Sequence, residues 1–151
     1  MKLADASHRK LELFFREYFG DENLRLPRTY FYVGGFTKTL TNLISVHGIT
    51  MGKRIFIKPT LLSLNGKKLP KLPEDLIAHE LVHVLQYRRE GFLKFFYKYL
   101  TGYWRNLQSK KRWDAVSRHK AYLEIPFEVE ARQAAARFVE WNKFQSEKVE
   151  K

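Results

Sequence analysis

Apolar residues recur at helical spacing in three parts of the chain, and each part has residues suited to a helix end. A first helix is predicted at Asp5–Phe19 and ends before Gly20. A second is predicted at Glu74–Glu90, where Pro and two acidic residues favour a start and Gly91 favours a stop. A third opens at Pro126 and is predicted to run to about Phe144. The apolar stripes comprise Leu11, Phe14, Phe15, Tyr18; Ile77, Leu81, Val84, Leu85; and Phe127, Ala131, Ala134, Phe138, Trp141.

The residues between the first two helices favour strands. Residues 29–33 are rich in Tyr, Phe and Val and precede two glycines, which is typical of a strand. Residues 49–51 and Arg54–Ile57 flank Gly52 and Lys53, which predicts a hairpin with Gly at the first turn position. Residues 37–46 have a weak helical preference, and residues 64–72 contain Asn, Gly and Pro and are expected to form a loop. Together these elements predict an α+β fold with a short antiparallel sheet.

Length and composition are those of one folded domain. At 151 residues with 44% hydrophobic content, residues 1–151 are expected to form one domain around one core, with residues 146–151 as a frayed tail. Every window of 18 residues contains a charge, and the first residues lack the apolar region of a signal peptide, so a cytoplasmic protein is expected. The absence of cysteine excludes disulfides and thiolate metal sites. Any metal must therefore be held by His, Asp or Glu.

The chain is strongly basic, with 28 Lys and Arg against 16 Asp and Glu and a net charge of +12. Residues 91–118 interleave eight aromatic residues with seven Lys and Arg. Three interpretations are open for this basic aromatic stretch. Its aromatics cover the core while the charged groups reach solvent, or it contacts an anionic membrane surface, or, as a less favoured alternative, it stacks on nucleic acid bases.

The run His79, Glu80, Leu81, Val82, His83 points to metal chemistry. Residues four apart on a helix project only about 40° apart, so His79 and His83 can share one ion. Glu80 lies one step round, where its carboxylate can act as general base toward a water that the metal activates. Zinc suits such a site because it accepts imidazole and carboxylate ligands. The spacing predicts one Zn²⁺ ion and peptide-bond hydrolysis, with Glu80 as the catalytic residue.

A catalytic zinc site has three protein ligands, so a third must come from another part of the chain. Glu128, at the start of the last predicted helix, is the favoured candidate. A glutamate there also suits the helix dipole without any metal. His119, Glu124 and Glu130 remain alternatives as the third ligand.

The two motif helices resemble those of a known group of enzymes. A HExxH helix followed by a helical Glu in an ExxA pattern, here Glu128 with Ala131, is similar to the gluzincins, zinc metallopeptidases of the zincin type. The longer run through Gln86 also resembles small bacterial HExxHxxQ domains. The resemblance implies a zincin-like minimal metalloprotease domain with an active-site helix and a glutamate helix. It further implies that Arg54–Ile57 is the sheet edge along which a peptide or protein substrate lies extended.

Four further residues are candidates for supporting roles. His119, Tyr122 and Arg132 can stabilise negative charge near the metal. Gln86 lies one turn beyond His83 and can orient a ligand. The alternative function is a zinc-bound but catalytically idle binding module. Its basic aromatic surface would contact either a membrane or nucleic acid. In the first case the protein would be peripheral to the membrane.

Overall fold

The structure, a computed structural model, describes residues 2–33, 48–58 and 72–149. The predictions for residues 37–46 and 64–71 lie outside the described residues. The described part confirms a mixed α+β fold. Its elements are α1 (Asp5–Phe19), β1 (Tyr30–Tyr32), β2 (Gly48–Met51), β3 (Arg54–Ile57), α2 (Glu74–Glu90), α3 (Phe92–Ser109), α4 (Ala115–Leu123) and α5 (Pro126–Val149).

The three described strands form a sheet in the order β1, β3, β2. The predicted hairpin is confirmed, since β2 pairs antiparallel with β3 and Gly52 takes a positive φ of 61° in the turn. β1 pairs parallel with β3, so the expectation of an antiparallel sheet was wrong. The expectation that Arg54–Ile57 is the sheet edge was wrong too, because β3 has a neighbour on each side. β3 carries the fully buried Ile55 and Ile57, which explains its central place.

The main core lies where α2 packs between the sheet and α5, with α1 against α5. α1 buries Leu11, Phe14 and Phe15, and it ends at Gly20, which takes a positive φ of 64°. The Phe14 ring meets the Phe138 ring of α5 at a centroid distance of 5.1 Å. These aromatic contacts fix the position of α5 relative to the rest of the fold.

A second, smaller aromatic cluster lies between α2, α3 and α5. Its buried members are Tyr87, Phe95, Ile125 and Phe127, and the Phe95 ring stacks on Phe127 at 4.6 Å. Part of the basic aromatic stretch therefore covers the interior, as one of its three interpretations expected. Four aromatic residues of the same stretch are exposed instead, namely Phe92, Tyr97, Trp104 and Trp113.

The helices between α2 and α5 were not delimited from the sequence. α4 begins after Asp114, whose carboxylate accepts a hydrogen bond from the Ser117 amide at 2.7 Å. α5 continues to Val149, beyond its expected end near Phe144. Its last turns are supported locally, because the Ser146 hydroxyl donates to the Asn142 carbonyl at 3.0 Å. Among the described helices, none has the length and apolar character needed to cross a membrane.

Candidate metal centre

α2 presents His79 and His83 to the same side. Leu81 and Val82 between them are fully buried in the core, which turns the two imidazoles toward the start of α5. The Nε2 atoms of the two rings lie 3.2 Å apart. Helical spacing alone therefore brings two nitrogen ligands together, as expected.

α5 supplies the third group. The Oε2 atom of Glu128 lies 3.4 Å from Nε2 of His79, and its Oε1 atom lies 3.3 Å from Nε2 of His83. Glu128 is only 3% exposed. Within the described residues, His79, His83 and Glu128 form a group whose ligand atoms are close enough to hold one metal ion.

The spacing of these atoms fits a small divalent cation. Three atoms that each lie about 2.0–2.1 Å from a tetrahedral zinc are separated from one another by about 3.3–3.4 Å. The two Nε2 atoms lie 3.2 Å apart, and each lies 3.3–3.4 Å from a different oxygen of Glu128, so these separations are close to this value. Two imidazole nitrogens and a carboxylate that face one another can be joined by a shared proton or by a metal ion, since either offsets the repulsion of their lone pairs. The donor set thus fits a metal ion.

The electrostatics of the group favour positive charge. Burial by itself would lower the pKa of His83, but the hydrogen bond and the charge of Glu128 raise it to about 9. Burial would raise the pKa of Glu128, yet hydrogen bonds to His79 and His83 and the charge on those rings hold it well below the usual value. Glu128 is therefore an ionised carboxylate inside the protein.

Two tyrosines fix the Glu128 carboxylate. The Tyr99 hydroxyl donates to Oε1 at 2.7 Å, and the Tyr122 hydroxyl donates to Oε2 at 2.8 Å. Burial, reinforced by the Glu128 charge, raises the pKa of both phenols well above the ordinary value. Both remain protonated donors, so each carboxylate oxygen has a fixed partner.

A chain of hydrogen bonds orients His83 from behind. Gln86 uses its amide nitrogen to donate to the Phe127 carbonyl at 3.0 Å and to Glu130 at 2.8 Å. Its amide oxygen is left to accept from Nδ1 of His83 at 2.8 Å. Glu130 in turn accepts from both terminal nitrogens of Arg89 at 3.0 Å. Because Nδ1 donates to Gln86, Nε2 is the nitrogen of His83 that faces the other two ligand groups.

Glu80 lies beside the metal group and contacts β2. Its Oε2 atom accepts a hydrogen bond from the Thr50 hydroxyl at 2.6 Å. A Cβ on Gly48 would lie 2.8 Å from Cδ of Glu80 and closer still to Oε1, so only glycine leaves room for this carboxylate. Glu80 is 3% exposed, and it shares a cleft of about 590 Å³ with His79 and Glu128. Two of the three ligand candidates and the base candidate thus face one cavity.

Three of the supporting candidates also line this cleft, namely His119, Tyr122 and Arg132. The rings of His119 and Tyr122 stack at a centroid distance of 6.3 Å. Arg132 donates to the backbone carbonyls of Leu123 and Glu128, which ties the end of α4 to the start of α5. Of the four, Gln86 is the one that contacts a histidine of the metal group.

The residues considered as alternative third ligands do not belong to the group formed with His79 and His83. His119 is exposed and does not belong to the metal group found among the described residues. Glu124 is exposed and pairs with Lys110. Glu130 pairs with Arg89 and Gln86 rather than with the two histidines. Of the glutamates weighed as third ligand, Glu128 is the one that the structure brings to them.

Sequence reasoning missed three residues of the site: Gly48, Thr50 and Tyr99. Thr50 and Gly48 lie 30 or more positions before Glu80, and Tyr99 lies 29 positions before Glu128. Tyr99 falls in an aromatic run that offers no sign of which ring turns inward. For Gly48 and Thr50, the sequence offered one indication, which is that a glycine and a threonine stand at the start of the predicted hairpin.

Comparison with known proteins gives one family. A family model described as the eCIS core domain, where eCIS denotes an extracellular contractile injection system, matches residues 5–91. The matched segment contains α1, the three strands and α2, with His79, Glu80 and His83, and ends before α3. No curated protein and no solved structure matches the chain significantly.

Proposed function

The chain belongs to the eCIS core domain family, and for this member we propose, from the geometry of its candidate metal centre, a zinc-dependent metallopeptidase of the zincin type. The observation that carries the proposal is the separation of 3.2, 3.3 and 3.4 Å among the ligand atoms of His79, His83 and Glu128, beside a cleft that also contains Glu80. Two imidazoles and a carboxylate are a typical ligand set of catalytic zinc in hydrolases.

Zinc is favoured over other divalent cations by the ligand types. Calcium and magnesium prefer six or more oxygen ligands, whereas two of the three ligand atoms here are imidazole nitrogens. A zinc ion would act as a Lewis acid that polarises the scissile carbonyl and lowers the pKa of water. His79, His83 and Glu128 would hold it, with Gln86, Tyr99 and Tyr122 fixing the orientation of the ligands.

Glu80 has the position expected of a general base. It takes a proton from the water that attacks the carbonyl carbon, and it returns that proton to the nitrogen as the C–N bond breaks. Thr50 holds one carboxylate oxygen at 2.6 Å, and the other oxygen lies against Gly48, so the orientation of the carboxylate is fixed. Tyr122, His119 and Arg132 line the same cleft and are candidates for donors to the carbonyl oxygen that gains charge.

The substrate strand is proposed to pair with β2. In the described part of the sheet β2 has β3 on one side only, and its first residue, Gly48, lines the cleft. An extended peptide added to that edge would run past His79 and Glu80, with backbone hydrogen bonds holding it in place. This assigns to β2 the role that the sequence had suggested for β3.

A zinc-bound but catalytically idle module is the second candidate, favoured by the family description. The matched family is named for an injection system rather than for an enzyme, and the match ends before Glu128. In that case the metal would join α2 to α5 and stabilise the fold, while Glu80 would only support β2 through Thr50.

Glu80→Gln separates the two candidates. The purified wild type and variant are analysed for zinc by mass spectrometry and incubated with an unfolded protein mixture, whose fragments are then identified. We expect about one zinc per chain in both proteins, and a loss of cleavage of about 10²–10⁴-fold in the variant. Glu74→Gln, an exposed glutamate on the same helix, is the matched control and should cleave normally. Zinc-loaded wild type that cuts nothing would refute the peptidase and support the idle module.

A further inference from the structure

One face of α3 carries large apolar side chains that the described fold does not cover. Leu93, Tyr97, Leu100 and Trp104 are spaced by four, three and four residues, which places them within about 60° of one another around the helix. They are exposed by 82%, 71%, 59% and 50% respectively. We call these four residues the α3 stripe. The inner face of the helix, with Phe95, Gly102 and Leu107, is buried, so the stripe points away from the core.

Residues of the following segment extend this surface. The Trp113 ring contacts the Trp104 ring at a centroid distance of 5.2 Å, and both indoles are at least half exposed. Val116, at the start of α4, is 64% exposed. A monomeric domain rarely leaves this much adjacent apolar surface in water without a partner.

The same segment is the most basic part of the chain. Residues 91–123 contain eight Lys and Arg and one acid, Asp114, so this fifth of the sequence contributes +7 to the net charge of +12. Some cations are partly neutralised, since Lys94 and Lys98 pair with Glu90, and Lys110 pairs with Glu124. Four others form no ion pair with the described acidic residues: Arg105, Lys111, Arg118 and Lys120.

The apolar stripe and the positive charge together favour one of three possible partners: a second copy of the chain, nucleic acid or an anionic bilayer. A second copy of the chain would bring two positively charged surfaces against each other, which disfavours association through this face. Nucleic acid would use the aromatic rings and the cations but leaves no role for Leu93, Leu100 and Val116. An anionic bilayer uses all three features, because leucine enters the acyl region, Trp and Tyr occupy the interface, and Lys and Arg meet the headgroups.

We propose that the α3 stripe, with Trp113 and the surrounding cations, binds the surface of an anionic lipid bilayer. α3 lies in the plane of the interface with its inner face still packed on the protein. The segment begins where the family match ends, at Gly91, so this surface is a property of the part of the chain outside the matched core.

Vesicle binding tests the proposal with the intact chain. Sedimentation compares vesicles of phosphatidylcholine alone with vesicles that also contain phosphatidylglycerol. We expect binding to the anionic vesicles that is at least about tenfold tighter than to the neutral ones, and that weakens as salt is added. Bromine atoms on the acyl chains should quench the Trp fluorescence of the bound protein, because Trp104 and Trp113 enter the interface.

Two sets of variants identify the surface. Leu93→Ser with Tyr97→Ser and Leu100→Ser should weaken binding more than about tenfold, since their apolar area no longer leaves water. Arg105→Ser and Lys111→Ser should each weaken it about fivefold. The matched control replaces three apolar residues that are similarly exposed elsewhere by Ser, and it should bind as the wild type does: Leu13, Val139 and Phe144.

Three outcomes would overturn the proposal. These are absence of binding to anionic vesicles, equal binding to neutral ones, and binding that the stripe variant leaves unchanged. Salt-sensitive binding to RNA or DNA through the same residues, without vesicle binding, would likewise assign the surface to another partner. All the substituted residues are exposed, and circular dichroism verifies that each variant is folded.

Discussion

The side-chain amide oxygen of Gln86 lies 2.8 Å from Nδ1 of His83 and accepts a hydrogen bond from it. Gln86 is itself held by the Phe127 carbonyl and by Glu130, so its amide cannot turn without losing two hydrogen bonds. The orientation of the His83 ring is thereby fixed, with Nε2 directed at His79 and Glu128.

The first prediction concerns this contact. Gln86→Ala should lower zinc affinity about 10–100-fold, because His83 loses the partner that fixes its tautomer and ring orientation. Competition with a chromophoric chelator measures the change. Gln108→Ala, at an exposed glutamine on α3, is the control and should bind zinc normally. An unchanged affinity in Gln86→Ala would mean that the contact does not orient the ligand.

The second prediction identifies the third ligand. Glu128→Gln should abolish stoichiometric zinc binding, since the neutral amide removes the carboxylate that contacts both histidines. His119→Ala and Glu124→Gln should retain about one zinc per chain. Metal analysis of the three purified proteins checks this, and zinc retained by Glu128→Gln with loss in His119→Ala would reverse the assignment.

Short-range features of the site could be predicted from the sequence, and long-range ones could not. The helical repeat alone requires His79 and His83 to share a side, and a glutamate in the first turn of α5 was a reasonable ligand. The partners of these residues depend on tertiary packing. Tyr99 is one of several tyrosines in an aromatic run, and only the packing of α3 on α5 brings its hydroxyl to Glu128.

In the sheet, too, the local features could be predicted from the sequence and the long-range pairing could not. The hairpin between β2 and β3 follows from a two-residue turn with Gly52, which is local information. The place of β1 beside β3 rather than β2 joins segments more than 20 residues apart. Both strands of the hairpin were correctly located, yet which of them formed the edge depended on that distant pairing. The prediction that β3 is the edge strand was therefore wrong.

The third prediction uses the close approach of Gly48 to Glu80. In Gly48→Ala the added methyl would occupy the place of the Glu80 carboxylate, so Glu80 must turn away and lose its bond to Thr50. We expect a fall in kcat of about 10²-fold or more with zinc content unchanged. Gly102→Ala is the control, since its new methyl would meet only Pro126 and Ile125 at 3.8 and 3.9 Å. That control should be active and slightly more stable.

The fourth prediction concerns the hydroxyl of Tyr99. Tyr99→Phe keeps the ring in the aromatic cluster but removes the donor to Oε1 of Glu128. Zinc affinity should fall several-fold, up to about tenfold, because the carboxylate is less firmly oriented. Tyr103→Phe removes a hydroxyl from the same helix and cluster and should leave the affinity unchanged. Equal losses in the two variants would point to packing rather than to the hydrogen bond.

The fifth prediction concerns the removal of metal from the folded protein. Glu128 is a buried carboxylate that joins α5 to the two histidines of α2, so a bound cation should stabilise the contact between these helices. Free zinc at 100 times its Kd adds about 2.7 kcal/mol to the free energy of unfolding. For a chain of this size that corresponds to a rise in Tm of roughly 5–10 °C. Scanning calorimetry with zinc and with a chelator measures the difference.

Magnesium at the same concentration should not reproduce the rise, because it prefers oxygen ligands in an octahedral arrangement. A Tm that is the same with zinc and with chelator would contradict a metal bridge between α2 and α5.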